Sequence, residues 1–270
     1  MTSLQQKIAS ELHVQSDLDP ANAIREIVAF LCGYLLETGA RGYVLGISGG
    51  QDSTLAGALG QQAVSLARTR ADRELMFFAV RLPYGIQRDE EDALLALDFI
   101  QPDRVVTVDI QPAVLASVRA IELATGQVLG DFHRGNVKAR ERMVVQYALA
   151  GAFGLLVLGT EHAAESVTGF TTKHGDAACD VAPLVGLTKR QGRAMLQVLG
   201  APARLYEKTP TADLEDNKPL VPDEVALGIS YEQIDDYLEG KPVDRAVRDR
   251  VEALWKASGH KRRMPTTRFG

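Results

Sequence analysis

The sequence predicts an α/β protein, a doubly wound parallel sheet with flanking helices. Three observations predict it. Short apolar, strand-like runs alternate with helical-period segments through the first 160 residues. A glycine pair, Gly49-Gly50, follows one such run and opens a helix. The chain of 270 residues is 46% apolar and 24% charged, enough for a large core of ordinary globular composition.

The elements follow in order. Residues 19–37 carry Ile24, Ile27, Val28, Leu31, Tyr34 and Leu35 at helical spacing, behind an Asp19-Pro20 start signal. Residues 43–47 read as a buried parallel strand. After the glycine loop, Leu55, Ala58, Leu59, Ala63 and Leu66 mark a helix. The alternation repeats with a strand at 76–82, a helix at 89–100, a strand at 104–110 and a helix at 112–124. A helix at 136–153 and a strand at 155–158 complete it. Beyond residue 160 the strand signal fades. Residues 169–183 read as a polar loop and 188–199 as a helix. Residues 201–224 are rich in proline and acidic residues and too long for a passive connection, so they read as either disordered or a functional lid. Helices at 231–238 and 243–257 precede a basic tail. No linker separates two compositions, so residues 1–270 read as a single domain.

Bulk properties exclude several function classes. A net charge of −5 argues against a nucleic-acid-coating surface. No apolar run reaches the roughly 18–20 residues that span a bilayer, and residues 1–16 lack a signal peptide's apolar stretch. Cys32 and Cys179 form neither a CxxC pair nor a metal-ligand spacing. A reduced, cytoplasmic protein is expected, with Cys32 buried as a small apolar residue.

The chemistry starts at Ser48-Gly49-Gly50-Gln51-Asp52-Ser53. A loop between a parallel strand and a helix lies where such sheets bind ligands. The glycines let backbone approach an anion, the helix N-terminus faces it, and Ser48, Ser53 and Thr54 offer hydroxyls. Neither GxxxxGK[ST] nor GxGxxG is present. A carboxylate beside phosphates needs a cation between them, so Asp52 reads as a magnesium ligand, with helix capping as the plainer alternative. His162 and His174 stand at no metal spacing and are unassigned.

SGGxDS resembles the signature of the N-type ATP pyrophosphatases, enzymes that cleave ATP between its α- and β-phosphates. The wider sequence is similar to one branch, the ammonia-dependent NAD synthetases, over nearly its whole length. The resemblance is carried by residues 45–53, 81–85, 135–140, 159–165, 186–192, 210–214 and 228–231 in that order. It implies a Rossmann-like, adenine nucleotide alpha hydrolase-like fold, and amidation of deamido-NAD to NAD with ATP and ammonia through an acyl adenylate. It further implies that Gly46, Ile47, Ser48, Gly49, Gly50, Gln51, Asp52, Ser53, Arg81, Thr160, Lys189 and Thr211 bind ATP. Residues 201–224 are then expected to be a lid, ordered only with ATP bound. Asp52 and Glu165 would hold magnesium, and Tyr34, Arg140, Phe170, Lys173, Asp180, His260 and Lys261 would bind deamido-NAD. Asp52, Lys189 and Asp176 are the catalytic candidates, Asp176 as acceptor of a proton from ammonium. The family implies a homodimer. A tRNA-modifying pyrophosphatase would want more cysteines and a basic face. A non-catalytic nucleotide-binding module would not need paired acidic residues.

Overall fold

The computed structural model describes residues 2–85, 89–211, 221–263 and 265–268. Its elements run α1 (Ser3–Glu11), α2 (Pro20–Thr38), β1 (Gly42–Gly46), α3 (Gln51–Arg68), β2 (Met76–Arg81), α4 (Glu90–Ile100), β3 (Arg104–Thr107), α5 (Gln111–Thr125), α6 (Asp131–Phe153) and β4 (Leu156–Val157). Then follow α7 (Ala163–Thr168), α8 (Lys189–Val198), α9 (Ala203–Glu207), α10 (Asp223–Leu227), α11 (Tyr231–Leu238) and α12 (Arg245–Ala257).

The four strands are parallel in the order β3-β2-β1-β4. Side-chain alternation splits the sheet into two apolar faces. Tyr43, Leu45, Phe77 and Ala79 join a core covered by α2, α3, α4 and α8. Val44, Phe78 and Val80 join a second core under α5 and α6. Both faces are therefore covered, which is why the strands read as unbroken apolar runs. A third cluster, among α1, α7, α11 and α12, collects Ile8, Val167, Ile234, Tyr237 and Val251. No described helix is long and apolar enough to cross a membrane.

Local chemistry explains the boundaries. Asp19 caps α2 by accepting from the Asn22 amide at 3.1 Å, with Pro20 at the first helical position. Gly42 opens β1 at φ +146°, where an added Cβ would lie 1.7 Å from the Met76 carbonyl oxygen. Only glycine lets the two strands approach there. Cys32 is buried, as expected.

Three expectations change. The strand at 104–110 ends at Thr107, after which Val108 and Ile110 donate to the carbonyls of Arg81 and Pro83 outside the ladder. α6 begins at Asp131, five residues early, with Gly130 as N-cap and the Asp131 carboxylate in the first turn, where it favours the helix N-terminus. The segment 201–224 holds α9 and α10, with Thr211 and Pro222 bridged as an antiparallel pair between them. Residues 212–220, the centre of the expected lid, lie outside the described residues.

Candidate active site

The carboxyl edge of the sheet gathers the chemistry. β1 delivers the chain into the glycine loop. Gly46 N–H is held by Gln146 Oε1 at 2.8 Å, and Ile47 N–H by the Val80 carbonyl at 2.8 Å. Gly49 adopts φ +83° and packs so tightly on α4 that an added Cβ would lie 2.5 Å from the Ala93 nitrogen. Gly50 is the N-cap of α3, and no side chain caps it, so the helix end is left to a ligand. The hydroxyls brace the loop: Ser48 and Ser53 Oγ are 3.0 Å apart, and Thr54 Oγ1 donates to the Gly50 carbonyl at 2.7 Å. Thr54 is fully buried and spends its hydroxyl on the loop, contrary to the expectation of a free donor.

Asp52 stands in the first turn of α3. Lys189, at the start of α8, donates to its Oδ2 at 2.7 Å. α8 begins at a capping box of Thr188 and Gln191, and the buried Asp235 carboxylate accepts from the Lys189 and Arg190 amides at 3.1 and 2.8 Å. Gln51 ties the two helix starts together by donating to the Lys189 carbonyl at 2.8 Å. Its amide is thus structural, leaving its backbone to face a ligand.

Glu165 lies in the first turn of α7, brought beside Asp52 as expected. The structure adds His162, which the sequence reading left unassigned. His162 precedes α7 and is 2% exposed. Its Nε2 lies 3.7 Å from Asp52 Oδ1 and 3.8 Å from Glu165 Oε1. Donor atoms of Asp52, His162 and Glu165 all fall within 4.8 Å of one another. Neither ring nitrogen of His162 has a hydrogen-bond partner among the described residues. The spacing of His162 and Glu165, three apart across the start of a short helix, was the available signal. The third member lies far earlier in the chain, so linear spacing concealed the group.

Electrostatics separate the carboxyls. Burial opposes ionisation of Asp52, but Lys189 and His162 beside it outweigh burial and hold its pKa below the ordinary value. Burial, then the Asp52 charge, push Glu165 well above the usual carboxylate range. Burial works against the Lys189 ammonium, yet Asp52 and Glu165 keep it above its ordinary value. Burial drops His162 to about 4, so its ring is neutral. Two crowded carboxyls and a neutral imidazole suit a divalent cation, whose charge would offset the repulsion that raises Glu165.

The other expected residues divide. Arg81, at the end of β2, pairs with Glu90 at 2.9 Å, while its buried Nε has no hydrogen-bond partner among the described residues. Thr160 lies just past β4, after Leu158 and Gly159. Arg140 on α6 donates to the Lys173 backbone carbonyl at 3.4 Å, tying α6 to the loop that carries Lys173. Asp180 accepts from the Val157 amide at 2.8 Å and Tyr147 at 3.3 Å, beside β4. Asp176 accepts from the Thr172 amide at 2.8 Å, and burial raises its pKa. Lys261 donates to the carbonyls of Gly169 and Thr171 at 2.7 and 2.6 Å, holding the loop that carries Phe170. The basic tail is therefore docked, with Arg262 stacked 3.5 Å over Trp255, whereas His260 is exposed. Tyr34 lies elsewhere: it sits on α2 beside Phe30, packed on the sheet face opposite α6 and Arg140.

Comparison with known proteins agrees with this geometry. The NAD synthase family model matches residues 23–265. The NH3-dependent NAD+ synthetase of Halalkalibacterium halodurans is 58% identical over 98% of both chains. The crystal structure of NAD+ synthetase from Burkholderia pseudomallei is 48% identical, covers 97% of both chains and superposes with a TM-score of 0.84. An NMN synthetase from Francisella tularensis, 32% identical over 93% of this chain and 99% of its own, gives 0.80. The chain therefore belongs to the NAD synthase family, in its NH3-dependent branch.

Proposed function

We propose the following division of labour by which this chain amidates deamido-NAD to NAD with ATP and ammonia. Residues 1–270 act as one catalytic domain. The observation that carries the scheme is the Lys189–Asp52 contact beside Glu165 at the mouth of the glycine loop.

ATP lies with its phosphates on the 46–53 loop and the uncapped start of α3, flanked by Arg81, Thr160 and Thr211. Asp52 and Glu165 would hold Mg2+, which would supply neutralisation of phosphate charge. Deamido-NAD places its anionic groups near Arg140, Lys173, His260 and Lys261, with Asp180 on its polar edge and Phe170 against its nicotinate ring. A carboxylate oxygen of the nicotinate attacks the α-phosphorus, and the bond to the β-phosphate oxygen breaks. The products of this step are acyl adenylate and pyrophosphate. Lys189 meets the negative charge that builds on the phosphate oxygens. Asp176, with its raised carboxyl, accepts a proton from ammonium. The ammonia formed attacks the acyl carbon, AMP leaves, and the amide of NAD remains.

The active unit is a homodimer. Tyr34 and Arg140 lie on opposite faces of one sheet, so a second copy is needed to bring a tyrosine of this kind to the dinucleotide. Exposed Leu123, Val128 and Phe132, at 75%, 86% and 64%, offer apolar surface around α5 and α6 for such a copy. The two free cysteines suit a reduced cytoplasmic setting.

Isotope transfer tests the scheme. Deamido-NAD labelled with 18O in its nicotinate carboxylate is expected to give AMP carrying one label. Label found only in NAD or water would contradict adenylation.

A further inference from the structure

His162 has no task in the reaction above, yet the fold buries it with neither ring nitrogen hydrogen-bonded among the described residues. Burying an unsatisfied polar ring is costly, so native chains keep such groups where a ligand or a function answers them. The backbone fixes its position: the next residue, Ala163, donates to the Leu187 carbonyl at 2.9 Å, and the Tyr231 ring stands 6.1 Å from the imidazole.

Taking the reading that Asp52 and Glu165 hold a cation, we propose that His162 Nε2 is a third protein ligand of that cation. The site is then a mixed nitrogen–oxygen site that favours Mn2+ over Mg2+. Ligands of one octahedral ion at about 2.1 Å lie about 3.0 Å apart when adjacent and about 4.2 Å apart when opposite. His162 Nε2 lies 3.7 Å from Asp52 Oδ1 and 3.8 Å from Glu165 Oε1, between these limits. A shift of tenths of an ångström closes either arrangement. Lys189 occupies Asp52 Oδ2, so Oδ1, the atom facing His162, is the one left for the metal. The donor set decides the preference. Both ions favour oxygen, but Mg2+ dehydrates reluctantly and keeps its waters, whereas Mn2+, the first of the transition series, accepts an imidazole nitrogen more readily.

The test uses protein grown with 15N-histidine, loaded with Mn2+ and the α,β-methylene analogue of ATP. Pulsed EPR is expected to show a 15N coupling to the bound Mn2+, a signal that adenine nitrogens cannot supply. His162→Gln is expected to abolish the coupling and weaken Mn2+ binding by about tenfold or more. Mg2+ binding should fall less, so the Mn2+ preference narrows. His162→Asn serves as a second variant should the first fail to fold. Mn2+ whose binding requires Asp52, by Asp52→Asn, but which shows no 15N coupling would overturn the inference and leave the carboxylate site standing. Binding untouched by Asp52→Asn and Glu165→Gln would remove the carboxylate site and the inference together.

Discussion

The ammonium of Lys189 lies 2.7 Å from Oδ2 of Asp52, joining the starts of two helices 137 positions apart in the chain. One carboxylate thus faces a fixed cation on one oxygen and the candidate metal site on the other. Lys189→Gln keeps a donor but removes the charge. It should lower kcat for amidation by about 10²- to 10³-fold, the range for losing a group that meets charge in the transition state. Steady-state kinetics with circular dichroism on the same sample checks this. A kcat within a few-fold of the native value would remove Lys189 from the mechanism.

Asp235 carries a pH signature. Burial raises its pKa from 3.8 to about 6, against the hydrogen bonds it accepts from the Arg190 and Lys189 amides. A carboxyl raised in the native state binds its proton more tightly there than in the unfolded chain. Its contribution to stability is full below 3.8 and is lost as pH rises through about 6. Asp235→Asn cannot ionise, so it should flatten that part of the fall in Tm across this window. It also accepts from only one of the two amides that Asp235 serves, so the start of α8 loosens and kcat falls with Lys189 misplaced. An unchanged Tm profile would show that Asp235 does not titrate in this range.

Gly49→Ala meets two penalties at once. The left-handed φ of +83° strains any side chain, and the added carbon would lie 2.5 Å from backbone atoms of Asp92 and Ala93. The expected cost is about 2–5 kcal/mol, with ATP binding weakened because the loop moves off α4. Urea denaturation and nucleotide titration measure the two effects. Native stability in the variant would mean that the loop is not locked against α4.

Dimer formation predicts that a charge on the apolar surface of α6 separates the copies. Phe132→Glu is expected to give monomers in sedimentation experiments and to raise KM for deamido-NAD more than KM for ATP. A monomeric native protein with full activity would contradict the proposed assembly.

Much of this architecture was legible in the chain. The alternation of apolar runs with helical stripes located all four strands, and the expected strand ends placed Asp52 and Glu165 at one sheet edge. What escaped had physical reasons. α1 buries little beyond Gln5, Ile8 and Ala9, too few positions to show a stripe. α7, α9 and α10 are five or six residues long, below two helical turns. β4 has only two ladder residues, although the apolar run around it is longer. His162 escaped because the metal-like group it joins is assembled by the sheet's crossover connections. Tyr34 was legible as part of a helical stripe, but which face of the sheet that stripe covers is a tertiary fact. The hydroxyl of Thr54 reads as a free donor until the backbone carbonyl it serves is in place.

The central claim is that this site drives amide formation by cleaving ATP to AMP. The direct measurement incubates the protein with deamido-NAD, ATP, Mg2+ and ammonium and follows all products together. NAD, AMP and pyrophosphate should appear in equal amounts, and none should form in the Asp52→Ala variant while it remains folded. Release of ADP and phosphate, or ATP cleavage without NAD, would contradict the account.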